Sequence, residues 1–200
     1  RSNKVIDRVI YKLPGGNTVI DFDTPQSVTI FGHDGIKRTD KDFFSAYVLT
    51  HILGGSGFGS RLMTELREKN GLTYGVSAYL ASWEKADLIL GQFASSNNTV
   101  MEAIGIVKNE WAILADRGVT ADELRDAKTF LTGAYPLRFD GNSRIARILT
   151  GMQIQGLPID YIHTRNAKVN AVTMEDIKRV ATRILKEKNL YFVIVGRPTP

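Results

Sequence analysis

The chain has 200 residues, 43% of them hydrophobic and 24% charged, with a net charge of +5. That composition is ordinary for a globular protein and excludes a disordered tail, a collagen-like fibre and a membrane-spanning bundle. No apolar run approaches the roughly 18 residues a transmembrane helix needs. The absence of cysteine excludes disulfides, thiolate zinc sites, iron–sulfur clusters and a cysteine nucleophile. Basic residues are interleaved with acidic ones, as in Arg61-Leu62-Met63-Thr64-Glu65-Leu66-Arg67-Glu68-Lys69, so no one-sided basic face calls for nucleic acid. A start at Arg1-Ser2-Asn3, without methionine or an apolar signal stretch, is expected of a processed chain or an excised piece.

In chain order, residues 5–13 read as a first strand, and Pro14-Gly15-Gly16-Asn17 as a turn. Short β-branched and aromatic runs at 18–22 and 27–32 follow as strands. Thr39-Asp40-Lys41-Asp42 starts a helix with Phe44, Val48 and Ile52 on its apolar stripe. Gly54-Gly55-Ser56-Gly57-Phe58-Gly59-Ser60 breaks it, and a second helix runs from Ser60 to Asn70-Gly71 with Leu62 and Leu66 buried. Residues 72–80 read as a strand in which Leu72, Tyr74, Val76, Ala78 and Leu80 share one face by parity. Trp83-Glu84-Lys85 connects it to an antiparallel partner at 86–95. Thr99 with Glu102, and Thr120 with Glu123, have capping-box spacing ahead of two helices. Further helices are expected at 143–155 and after Thr173, and 190–195 is a continuous apolar strand of the kind buried inside a sheet. The whole reads as one α+β domain over residues 18–198, an antiparallel-rich sheet with helices packed on one face, with 1–17 as an incoming strand or linker end.

Motif tests are mostly negative. The three histidines, His33, His51 and His163, are far apart, and no H-x-x-E-H or H-E-x-x-H occurs, so they read as ordinary surface or helix histidines and no metal site is expected. Gly54 and Gly59 have P-loop spacing, but Ser60-Arg61 stands where Lys and Ser or Thr are needed, and the glycines join two helices. No G-x-S-x-G elbow supports Ser-His-Asp chemistry.

The stretch from Gly54 to Tyr74 is the informative one. Ile52-Leu53-Gly54-Gly55, Phe58-Gly59-Ser60-Arg61-Leu62 and Leu66-Arg67-Glu68-Lys69-Asn70-Gly71-Leu72-Thr73-Tyr74-Gly75-Val76, taken with Pro25-Gln26-Ser27-Val28-Thr29-Ile30, resemble the pitrilysin/insulysin-like zinc metallopeptidase family. The likeness is to the zinc-free, C-terminal-type half domain, including bacterial members similar to mitochondrial processing peptidase, and it covers nearly the whole chain.

The resemblance implies that Arg67 and Tyr74 assist the active site of a partner half by holding substrate and a developing oxyanion, as preorganised donors do. The alternative is that Arg67 pairs with a carboxylate and Tyr74 packs in the core. The resemblance also implies substrate recognition by Gly54, Gly55, Gly57, Phe58 and Gly59, although glycine there also suits a tight helix–helix turn.

The expected function is that of the non-catalytic half of a bipartite zinc metalloendopeptidase, closing a chamber around an extended peptide. Hydrolysis by this chain alone is not expected. No cofactor is expected in this chain; zinc would sit in the partner half. The expected partners are a zinc-bearing half of the same fold and a peptide, with self-association of the isolated piece allowed and no membrane span. The alternative is an inactive scaffold or assembly subunit of the same fold. The sequence itself gives no location; the resemblance implies the bacterial periplasm or envelope, with mitochondria or cytoplasm as the alternative.

Overall fold

The computed structural model describes Val9 and residues 14–56, 59–83 and 85–199. Strands β1 (Gly16–Asp21), β2 (Gln26–Asp34), β3 (Val76–Ser82), β4 (Asp87–Ser96) and β5 (Tyr191–Gly196) form one open sheet in the order β1-β5-β2-β4-β3. All neighbours run antiparallel except β1 and β5. The helices are α1 (Phe43–Gly54), α2 (Val100–Arg117), α3 (Ala121–Gly133), α4 (Asn142–Ile154), α5 (Tyr161–Asn170) and α6 (Met174–Ile184). None of the described helices is long and apolar enough to cross a membrane.

Period-two patterning decides which sheet face is covered. Along β2, Ser27, Thr29 and Phe31 are buried while Gln26, Val28 and Ile30 are exposed. In β4, Asp87, Ile89, Gly91, Phe93 and Ser95 are buried and the alternate residues are half-buried or exposed. The buried set meets the helices. Trp111 of α2 packs edge-on against Phe31 at 5.7 Å, and Phe192 of β5 stacks on Phe31 at 5.4 Å. Because β5 sits between β1 and β2, the last strand of the chain closes the core beside the first, as its apolar run suggests. Only alternate residues of β5 are buried, however, since the outer face of the sheet is open: Val28 and Ile30 are 49% and 52% exposed there.

Several local expectations change. The strand expected at 5–13 lies outside the described residues apart from Val9. His33, expected after the strand as a surface or helix histidine, lies within β2 and is buried. Its Nε2 accepts from Trp111 Nε1 at 2.8 Å, which leaves Nδ1 to donate to the Asp34 carbonyl at 2.7 Å. Burial lowers its pKa below 6.5. The second helix continues as a π-helix over Met63–Lys69. Thr120 and Glu123 form the expected capping box, and Thr173 forms one with Asp176. Thr99 makes no cap bond, because its hydroxyl is engaged with those of Ser95 and Ser96 at 2.9 and 2.6 Å.

Candidate functional site

Arg67 and Tyr74 come from adjacent segments with opposite roles, one rigid helix and one pinned loop. The helix is anchored at its start by Arg61, whose guanidinium forks onto Glu123 at 2.6 and 2.9 Å. Such bidentate pairing fixes orientation as well as adding energy. Leu62, Met63 and Leu66 bury the inner side of this segment. Arg67 stands half-buried within the π-helical run, a geometry that recurs at functional sites in proteins. Gly71, at φ 61°, turns the chain out of the helix, and the Leu72 amide caps the Leu66 carbonyl at 2.8 Å.

The turn from Leu72 to Gly75 is held by side-chain bonds instead of ladder bonds. The Thr73 hydroxyl lies 2.7 Å from the Ala94 carbonyl and 2.8 Å from that of Gly75, and accepts from the Gly75 amide at 3.1 Å. Ser95 Oγ donates to the Leu72 carbonyl at 2.6 Å. Between these anchors Tyr74 projects outward, 89% exposed. The reading that placed Tyr74 on an apolar strand face with Leu72 is therefore corrected: pairing starts at Val76, and the parity of β3 applies only from there. Core packing of Tyr74 is excluded by the same exposure.

The two side chains meet. Arg67 Cζ lies 5.1 Å from the centroid of the Tyr74 ring, within cation–π range. The pair gathers guanidinium N–H donors and one phenolic O–H at the approach to β3, the outermost strand on its side of the sheet among the described residues. Donors so placed can hold a carbonyl oxygen, an oxyanion or a carboxylate.

The glycine segment divides. A Cβ on Gly54 would lie 2.7 Å from both the Ala78 amide nitrogen and its Cβ, so glycine there lets α1 close on β3. At Gly55 a Cβ would meet His51 Nδ1 at 2.1 Å, a second close approach. Gly59 has open space around it. Gly57 and Phe58 lie outside the described residues. Gly54, Gly55 and Ser56 border a cavity of about 330 Å³ shared with Tyr47, His51 and Tyr79. Ser56 and Gly59 border a second, of about 360 Å³, with Asp122, Glu123 and Phe130. The sequence reading did not single out Thr73 and Ser95, whose hydroxyls position the loop; their only signal is their place beside Tyr74 and at the end of β4.

No group of three or more His, Asp or Glu that could hold a metal ion occurs among the described residues. His33 is committed to Trp111, His51 stacks on Phe130 at 5.0 Å, and His163 is exposed on α5. A zinc ion has no ligand set among these residues.

The five-stranded sheet with its layer of helices makes this an α+β domain with one open sheet face. The chain belongs to the peptidase M16 inactive domain family, whose profile matches residues 7–131. It is 29% identical over 196 residues to a protein of Helicobacter pylori named Non-peptidase homolog YmxG, covering 98% of this chain and 43% of that one. It is 26% identical over 173 residues to the mitochondrial-processing peptidase subunit alpha of Bos taurus, covering 80% of this chain and 32% of the relative. A peptidase M16 inactive domain from Pseudomonas fluorescens superposes with a TM-score of 0.84 at 28% identity, over 95% of this chain and 45% of that one. The chain thus spans less than half the length of these relatives.

Proposed function

We propose that this chain is the zinc-free half of a bipartite zinc metalloendopeptidase. It faces a partner half of the same fold, closes a chamber around an extended peptide, and presents Arg67 and Tyr74 to that peptide. The observation that carries this reading is Tyr74 itself. A large phenol is held in solvent by a loop whose Thr73 and Leu72 are pinned, with Arg67 alongside at 5.1 Å. Preorganised donors of this kind act where negative charge develops on a substrate oxygen, and they are effective because they need not reorganise. Gly54, Gly55, Gly57, Phe58 and Gly59 are proposed as a peptide-contacting rim; the cavity beside Gly54 and Gly55 supports this. Zinc and its ligands belong, in this reading, to the partner half.

The test is peptide turnover in the assembled protein. Arg67→Ala and Tyr74→Phe should each lower the rate by about 10²–10³ at unchanged stability and assembly, the usual cost of losing one such donor. Unchanged turnover in both variants would remove the pair from the mechanism. A second reading, a scaffold or assembly subunit without peptidase activity, is favoured by the name of the Helicobacter pylori relative. Absence of hydrolysis by the assembled wild-type protein, with its zinc half loaded, would select it.

A further inference from the structure

A hollow between the start of α1, the 3₁₀ turn Pro136–Phe139, α4 and α5 shares no lining residue with the Arg67–Tyr74 pair. It encloses about 330 Å³, within the range of small-molecule sites, and four arginines line it: Arg38, Arg138, Arg147 and Arg165. No lining residue is acidic.

Several other described arginines are closely paired. Arg61, Arg179, Arg183 and Arg197 each hold a carboxylate oxygen at 2.6–2.7 Å. Arg165, only 4% exposed, has none among the described residues: its guanidinium donates to the Leu131 carbonyl, Asn166 Oδ1 and the Tyr47 hydroxyl, all neutral. Arg38 donates to the Tyr161 hydroxyl at 2.6 Å and lies over the Phe43 ring at 4.4 Å, again without a carboxylate among the described residues. Arg138 and Arg147 stand exposed at the mouth, and no ion pair joins them to an acid among the described residues. The nearby carboxylates of Asp40 and Asp42 are spent on Arg179 and Arg183. Interior cations without a counter-charge are costly to hold, and an arriving anion offsets that cost.

The phenols complete the site. Tyr47 and Tyr161 each accept from an arginine, so each keeps its own O–H to donate. Burial pushes the Tyr161 phenol up, which keeps that proton in place. Ile148, Met152 and Leu157 supply an apolar wall.

We propose that this hollow binds a small, doubly charged oxyanion carried on an apolar body, a phosphate monoester or a dicarboxylate. Guanidinium forks match both groups bidentately, and four of them suit two negative charges better than one. The site stands independently of the peptidase reading.

Isothermal titration calorimetry on the full-length protein tests it, with phenyl phosphate and phthalate as the two probes and inorganic phosphate as the probe without a body. Saturable binding of phenyl phosphate or phthalate, tighter than that of inorganic phosphate, is expected, and the stronger of the two identifies the anion. Arg38→Gln and Arg147→Gln should each weaken it by roughly tenfold to a hundredfold, the effect of one charged hydrogen-bonding group. Arg147 is exposed, so its variant keeps the fold and decides the matter if Arg38→Gln does not. No saturable binding of either probe at millimolar concentration, or binding indifferent to Arg147→Gln, would overturn the proposal. Inorganic phosphate binding as tightly as the phenyl ester would overturn the apolar body.

Discussion

Thr73 does for Tyr74 what a strand ladder would otherwise do. Its hydroxyl takes the Gly75 amide and the Ala94 carbonyl, so the backbone before Val76 is satisfied without extended pairing and is free to turn Tyr74 outward. Thr73→Val keeps the shape and removes those bonds, leaving buried polar groups unpaired at a cost of about 1–3 kcal/mol. We expect lower stability together with faster amide hydrogen exchange at residues 72–75. Unaltered exchange there would mean that Ser95 and Leu72 hold the loop alone. From sequence, the alternation of apolar residues through Leu72, Tyr74 and Val76 looks like one strand face, and Tyr74 is sided wrongly. Parity holds only along paired backbone, and the Thr73 and Ser95 hydroxyls take up the backbone groups before pairing begins at Val76.

Among the elements, the capping boxes show how far local spacing reaches. Both Thr99 and Thr120 precede a glutamate at the right distance, yet only Thr120 closes the box with Glu123. Thr99 meets the hydroxyls of Ser95 and Ser96 at the end of β4, a competition that spacing alone does not reveal. Thr120→Ala should therefore cost about 1 kcal/mol in denaturant unfolding, while Glu102→Ala in the first turn of α2 should be nearly neutral. Equal costs would show that the box contributes nothing particular at α3. The π-helix that carries Arg67 was equally hidden. Leu62 and Leu66 satisfy a helical stripe in either winding, and both are fully buried.

At the scale of the molecule, the loop before α1 is tied to α6 by charge. Asp42, buried, takes Arg179 and Arg183 at 2.7 Å each, and Asp40 takes Arg183 at 2.7 Å. Hydrogen bonding from Arg179, then Arg183, holds the Asp42 carboxyl below its ordinary 3.8 against the opposing effect of burial. A lowered folded value means that the unfolded chain binds the proton first as pH falls. The stabilisation is complete well above pH 3.8 and is lost as pH drops through the folded value. Asp42→Asn should lower the melting temperature by several degrees at neutral pH, and that gap should shrink on acidification below about pH 3.8. A gap independent of pH would assign the loss to packing instead of charge. The sheet's open face carries Val28, Ile30 and Tyr79, each about half exposed, with Gln92 of β4 opposite Ile30.

The sequence by itself determined the class of fold, the order of its elements and the family, because strand alternation, helical stripes and the run from Leu66 to Val76 are local patterns that short-range sterics and burial enforce. Tertiary structure decided the rest. Where β3 starts and on which side Tyr74 emerges depend on the Thr73 and Ser95 hydroxyls meeting carbonyls 21 and 23 residues away. Thr99 loses its cap to the hydroxyls of Ser95 and Ser96 just before it. Arg38, Arg138, Arg147 and Arg165 are spread over 128 residues and share one hollow only after α1, α4 and α5 have packed. No residue lining the hollow is acidic, and this matters most for Arg165, which is buried between the helices where low polarity makes an unpaired charge consequential.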